Sequence, residues 1–286
     1  MIYRFVDEHR GAWPVRVMCR VLGVSASGYY AWRTRGESPR AKANHALLGI
    51  IRALHAESGG AYGAPRVHAV LRSYGRRIGR HRIARLMRGA GLRGLAAIPR
   101  RVRTTDSRHD HPIAPNRLRR NFTATAPNQV WLADLTYIRT GEGWLFLAAL
   151  IDMHTRKVVG WAVRETLHAD IALEALAMAV ERQRPAPGLI HHSDRGVQYA
   201  ADDYRKALSA ARITPSMSRK GNCLDNAPME SFFHTLKVER IHHWVYATRA
   251  EARRDLFAYI EGFYNSRRLH SAIGYRSPAD MERMAA

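Results

Sequence analysis

The sequence predicts an α/β protein, a mixed sheet in the order βββαβαβα preceded by an all-α region of helix-turn-helix character. Three observations carry that prediction. Apolar residues recur at helical spacing in the N-terminal third, and from residue 130 onward they alternate at strand spacing. Arginine is concentrated in the helical part rather than spread along the chain.

The first segment, 1–38, contains "VRVMCRVLGVSASGYYAWR". It reads as a helix, a turn at Gly23, Ser25 as N-cap, and a short helix ending near Trp32. It is either a second DNA-binding unit or a hairpin that only packs. The next segment, 39–95, is clearer. "PRVHAVLRSYG" sets Val67, Val70 and Leu71 on one stripe, and "RHRIARLMRGAG" does the same with Ile83, Leu86 and Met87. Gly75 and Gly91 stand where helices stop, and Gly79 is an acceptable N-cap. Arg80, Arg82, Arg85 and Arg88 lie on the second helix, and between Glu57 and Asp106 there are 12 arginines and no acid. An ordinary helical hairpin with a solvated basic face would be interrupted by acids, so a helix-turn-helix is favoured. Arg80, Arg82 and Arg85 are its candidate nucleic-acid contacts. Residues 96–128, rich in proline and polar residues and without a sustained period, are expected to be a basic linker.

Strands follow in the segment 129–243. "VWLADLTYIR", "GWLFLAALID" and "RKVVGWAV" are separated by short turns, which predicts an antiparallel meander. "TLHADIALEALAMAVERQ" predicts a helix with Leu173, Leu176, Ala177 and Val180 on its buried stripe. "GLIHHS" and "ITPSMS" are short strands around a helix in "DDYRKALSAAR", and a further helix runs from about Asn226 to Arg240. In the C-terminal segment, 244–286, Thr248 and Glu251 form a capping box for a helix striped by Leu256, Tyr259, Ile260 and Phe263.

Composition narrows the function. The formal net charge is +22, from 46 Lys and Arg against 24 Asp and Glu. A GC-rich genome accounts for arginine over lysine, but not for the excess over acids. Such a field attracts polyanions and points to nucleic acid. No apolar run approaches a membrane span, and "MIYRFVDEHR" lacks a secretory pattern. Cys19 and Cys223 have no metal-type or disulfide-framework spacing, which fits a reducing cytoplasm.

Within the strands, Asp134 is the anomaly. It sits mid-strand among apolar neighbours, where an unpaired charge is costly. Asp194 closes the fourth strand in "HHSDRGVQYA", and Glu230 lies one turn into the helix of "DNAPMESFFHTLKVER". Taken singly, each has a bland reading: edge residue, turn former, helix N-terminal acid. Converging, they would suit a hard divalent cation, which takes oxygen ligands. Asp152 reads as a hairpin-turn residue, and Asp202, Asp203 and Asp225 as helix-start acids. His191–His192 and His242–His243 lack cysteine partners and read as non-ligands.

The spacing Asp134, 59 residues, Asp194, 35 residues, Glu230 resembles the DDE core of retroviral-type integrases and insertion-sequence transposases. "WLADLTYI", "HSDRGVQY", "GNCLDNAPMESFFHTLK" and "YNSRRLHSAIGYRSP" resemble the second-reading-frame product of a large insertion-sequence family, as do "GVSASGYYAW" and "YGAPRVHAVLR". The resemblance covers nearly the whole chain. It implies a ribonuclease H-like fold, with Asp134, Asp194 and Glu230 as catalytic and metal-holding residues. It also implies two Mg²⁺ or Mn²⁺ ions and DNA cleavage with strand transfer at element ends. Lys237 matches the basic residue such cores carry seven positions after the glutamate, where it contacts DNA.

The implied partners are double-stranded DNA, as element ends and target, further copies of the chain, and the upstream-frame protein. The implied location is the bacterial cytoplasm at the nucleoid. No His/Cys zinc module stands at the N-terminus, unlike retroviral integrases. The family's frameshifting implies that this chain is a downstream product or fragment of the working protein. The rival functions are a DNA-binding regulator of transposition and a nuclease of the same fold that does not join.

Overall fold

The computed structural model describes residues 1–96 and 111–285. Residues 97–110 of the expected linker lie outside the described residues. Helices α1 (Ile2–His9), α2 (Val15–Val21) and α3 (Ala26–Thr34) close on Val6, Met18, Cys19 and Tyr29. Gly23, at φ +66°, makes the turn, and the Ser25 hydroxyl accepts from Gly28 N at 3.1 Å as the expected N-cap. Helix α4 (Pro39–Glu57) is an addition to the sequence reading, capped by Ser38. Its Leu47, Ile51 and Leu54 pack against α5 (Ala64–Ser73) and α6 (Arg80–Gly89). The predicted pair α5–α6 therefore stands on a third helix. Val67, Leu71, Ile83 and Met87 are buried as expected, with Val70 and Leu86 partly so.

The sheet then begins. Strands β1 (Val130–Thr140), β2 (Gly143–Asp152) and β3 (Val158–Arg164) form the expected antiparallel meander. Helix α7 (Asp170–Gln183) returns the chain to β4 (Ile190–Ser193), which lies parallel beside β1. Short α8 (Val197–Ala200) and α9 (Asp202–Ala210) lead to β5 (Thr214–Met217), giving the order β3-β2-β1-β4-β5. Helix α10 (Ala227–Glu239) follows a 3₁₀ turn over Cys223–Asn226. Helix α11 (Arg249–Phe257) runs on as a π-helix over Ala258–Asn265, and α12 (Pro278–Ala285) ends the described chain.

Both sheet faces are covered, so β1 is apolar on both sides. On one face Trp131, Ala133 and Leu150 meet Ile171, Ala175 and Leu208. On the other, Leu132, Ile138 and Leu147 meet Phe232, Leu236, Leu256 and Ile260. The buried stripe of α7 departs from expectation, being Ile171, Ala172, Ala175, Leu176 and Ala179. The cause lies on β3. A Cβ at Gly160 would come 2.2 Å from the Ala175 carbonyl oxygen and 2.7 Å from the Ala179 Cβ. Backbones this close admit only small residues, so Leu173 and Val180 fall to the margin of the contact.

Two clamps hold the C-terminal segment. The buried Asn265 side chain donates to the Val158 carbonyl at 3.0 Å and accepts from its N–H at 2.9 Å, pairing with β3 as a further strand would. Further out, Tyr62 and Arg66 bond the backbone of Arg267 and Leu269, fixing the α4–α6 cluster to the C-terminal segment.

Candidate active site

Register brings the first two acids together. Strands β1 and β4 are parallel and pair Leu132 with His192. Two residues further along stand Asp134 and Asp194, register equivalents just past the paired stretch, Asp134 midway along the longer β1 and Asp194 immediately after β4. Parallel strands lie about 4.8 Å apart, so the two carboxylates project side by side. The mouth of a parallel pair is the usual place for a ligand in such sheets. Asp134 Oδ1 accepts from Leu135 N at 2.8 Å, and Asp194 Oδ1 from Gly196 N at 2.9 Å. Both side chains are half-buried.

The third acid arrives on α10, and its placement depends on the two residues before the helix. Asp225 is fully buried and bonded to Arg219 at 2.8 and 2.9 Å, to Arg120 at 2.9 Å and to Asn116 at 3.0 Å. The buried Asn226 then donates to the Ala133 carbonyl at 3.1 Å, immediately before Asp134. Pro228 fits in the first turn, where its missing N–H is not needed. Glu230 follows on an exposed face of that turn, near enough for its charge to be felt at Asp134.

The electrostatics follow from this layout. Burial, the Asp194 carboxylate and, more weakly, Glu230 push the Asp134 carboxyl well above its ordinary range, against the pull of the Leu135 N–H and Lys237. The buried Tyr199 hydroxyl has no hydrogen-bond partner and feels both Asp134 and Asp194. Among the described residues no three His, Cys, Asp or Glu side chains already close to metal-binding spacing. The donor set nevertheless fits a hard divalent cation: oxygen ligands only, mutually repelling, with Glu230 exposed on a flexible side chain that can close.

Lys237 lies on the same helix two turns later, its Nζ 5.2 Å from the Tyr137 ring centroid, and Tyr137 meets the half-exposed Trp144 edge-on at 5.0 Å. Arg80 and Arg85 are exposed on α6, apart from the acids. Arg82 is half-buried and its Nε donates to Asn44 of α4 at 2.9 Å. His191 and His192 are buried and bonded to Tyr204, Ser216 and Ser218. Asp152 accepts from Asn128, His154 and Thr155, as a turn residue should.

Asp225 corrects the sequence reading. It is a buried ion-pair centre rather than a solvated helix-start acid, because Arg120 reaches it from 105 residues upstream and Arg219 from the preceding loop. Asn116, Arg120, Arg219, Asp225 and Asn226 are the positioning residues that sequence reasoning missed. Their one local signal is the Asp-Asn pair just before a proline-started helix.

Comparison with known proteins places the chain in a family. Residues 124–223 and 211–278 match integrase core domain families, and residues 42–102 match an HTH-like domain. An uncharacterized 31 kDa protein of insertion element IS600 from Shigella sonnei is 47% identical over 263 residues, 92% of this chain and 96% of that one. The transposase InsF for insertion sequence IS3A of Escherichia coli K12 is 41% identical over 286 residues, 99% of this chain and 98% of that one. Among solved structures, a simian T-cell lymphotropic virus intasome in complex with PP2A regulatory subunit B56 gamma is 14% identical, with TM-score 0.47, over 62% of this chain and 60% of that one.

Proposed function

The chain belongs to the insertion-sequence transposases that join an HTH-like domain to an integrase core, and on that premise we propose that Asp134, Asp194 and Glu230 are its catalytic, metal-holding carboxylates. As a member it is a transposase, an enzyme of polynucleotidyl transfer that cleaves DNA at element ends and joins the freed strand to a target. The readings as a regulator or a non-joining nuclease are not favoured by its relatives. The single observation that carries the site is the register equivalence of Asp134 and Asp194 at the mouth of β1 and β4.

The chain's own residues do three things. Asp134 and Asp194, held by Leu135 N and Gly196 N, present two carboxylates at fixed separation on rigid strands. Glu230, brought near Asp134 by the Asp225 and Asn226 anchors, adds the third from a helix. Lys237, its ammonium pushed down by burial against the smaller pull of Asp134, offers a cation beside the aromatic pair Tyr137 and Trp144 to the DNA near the scissile phosphate. One or two divalent ions, Mg²⁺ or Mn²⁺, held by the three acids would supply Lewis-acid polarisation of the phosphate and activation of the attacking hydroxyl.

Arg80 and Arg85, exposed on α6, are the proposed duplex contacts, with Arg82 set against Asn44 to orient the helix. The proposed working units are 1–38, 39–95, the linker 96–128, the core 129–243 and the segment 244–286. The proposed partners are element-end and target DNA, further copies of the chain, and an upstream-frame protein; the proposed place of action is the bacterial nucleoid. Among the described residues no helix is long and apolar enough to cross a membrane.

The test uses the element's ends with the full chain. Wild type is expected to nick and join them in Mg²⁺, while Glu230→Gln, or wild type with chelator, binds without cutting. Cleavage retained by Glu230→Gln overturns the triad.

A further inference from the structure

Positive charge accumulates along the side of α10 that carries Pro228, Ser231 and Thr235. Arg268, itself buried, takes both oxygens of Glu239, at 2.6 and 2.7 Å. Arg66 of α5 approaches the same carboxylate only to 3.7 Å and donates its Nε hydrogen to the Leu269 carbonyl at 3.0 Å. Arg156, in the turn between β2 and β3, has its Nε buried with no hydrogen-bond partner. Asp152, the acid nearest it in sequence, is already occupied by Asn128, His154 and Thr155. Arg156 also stands at φ +64°, where a non-glycine residue is strained. Its Nη1 nitrogen reaches the Met153 sulfur, at 3.8 Å, within the same turn.

These three guanidiniums line one cavity of about 150 Å³, with Ser231, Thr235 and His270 completing its wall. Burial and the charges of Arg268, Arg66 and Arg156 push His270 down to about 2, so the ring stays neutral. Three guanidiniums thus face two carboxylates, Glu239 and the Asp152 whose charge Arg156 feels, and the remaining buried positive charge is unfavourable until an anion enters. Guanidinium forks with two hydroxyls suit a tetrahedral oxyanion better than a planar carboxylate. The cavity lies where α5 of the helix-turn-helix region, α10 and the C-terminal segment meet.

We propose that this cavity grips one backbone phosphate of bound DNA and so fixes the helix-turn-helix region and the core on a single duplex. The proposal rests on the transposase reading, and it locates a phosphate contact whose lining includes neither the three acids nor any residue of α6.

The experiment measures affinity of the full chain for an element-end duplex between about 50 and 200 mM salt. Each phosphate contact contributes about 0.9 to the slope of log affinity against log salt. Arg156→Gln is expected to lower that slope by about 0.9, and Arg156→Lys to restore most of it. An unchanged slope in Arg156→Gln overturns the proposal. A parallel thermal melt compares inorganic phosphate with chloride at equal ionic strength. Protection by phosphate that Arg156→Gln abolishes, together with an unchanged slope, would mark a free-anion site and also overturn the DNA contact. Should Arg156→Gln fail to fold, Thr235→Glu sets an acid in the same wall; a slope equal to wild type there is equally fatal. Asp134→Asn keeps the two readings apart: it is expected to lose cleavage with the slope intact. Cleavage surviving in Asp134→Asn counts against the acids and leaves the cavity to be judged by its own slope.

Discussion

Asp134 and Asp225 are the same side chain in the same core, and their surroundings push them in opposite directions. Asp134 sits beside Asp194 and Glu230, and its carboxyl is held well above the ordinary range by burial and those charges. Asp225 is more deeply buried, yet Arg219 and Arg120 hold its carboxyl far below that range. Burial alone therefore does not distinguish a working acid from a structural one. Compensation does. The structural acid has its charge fully answered by the fold, whereas the acid at the strand mouth is left to be answered by something that binds.

That contrast can be broken most severely at Asp134. Asp134→Asn is expected to reduce strand cleavage by more than about 100-fold, since even residues behind a metal ligand are worth 10- to 100-fold. Its melting temperature should equal or exceed wild type, because a like-charge contact is relieved. A cleavage assay beside a thermal melt checks both halves. Asp225→Asn should invert the pattern, costing about 3 kcal/mol in denaturant unfolding. That is the low end for a broken buried pair, because both guanidiniums also reach water. Activity should fall only as far as α10 shifts.

A pH titration of stability sharpens the comparison. His191 and His270 are pushed down to about 3 and about 2, first by burial, so the native state resists protons that the unfolded chain takes up. Stability should decline as pH falls below about 6.5, by on the order of 3 kcal/mol for the pair at pH 5, allowing for the part-exposed His270. Wild type and Asp225→Asn should share that decline. Below about pH 4 wild type should fall more steeply than the variant, because the lowered Asp225 stabilises the fold above its unfolded value and ceases to as it protonates, while the loss from His191 and His270 runs on in both. Identical curves below pH 4 would deny Asp225 its role. The smallest effect is expected for Asn226→Ala, about 1 kcal/mol. The lost bond to the Ala133 carbonyl is partly offset by removing a buried Oδ1 that has no partner.

Local pattern made some of this legible and long-range pairing hid the rest. Strands β1 and β2 follow from alternation, and Ser25 and Thr248 cap the predicted helices at 3.1 Å each. The phase of α7 was not legible, because Gly160 of β3 dictates that alanines face the sheet. Nor was the meeting of Asp134 with Asp194, which needs a parallel pairing across some sixty residues; family resemblance supplied what periodicity had no means to give. Asp225 misled for the same reason, since its partner Arg120 lies 105 residues upstream.

The contact between Tyr62 and Leu269 has a consequence for synthesis. It joins residues 207 apart. At about 5–20 residues per second, roughly 10–40 s separate the appearance of one partner from that of the other. During that interval the nascent α4–α6 cluster stands with Tyr62 and Arg66 uncovered, a finished small core without its lid. Only the arrival of residues 267–269 closes that face, so a part of the molecule made early is finished by one made much later.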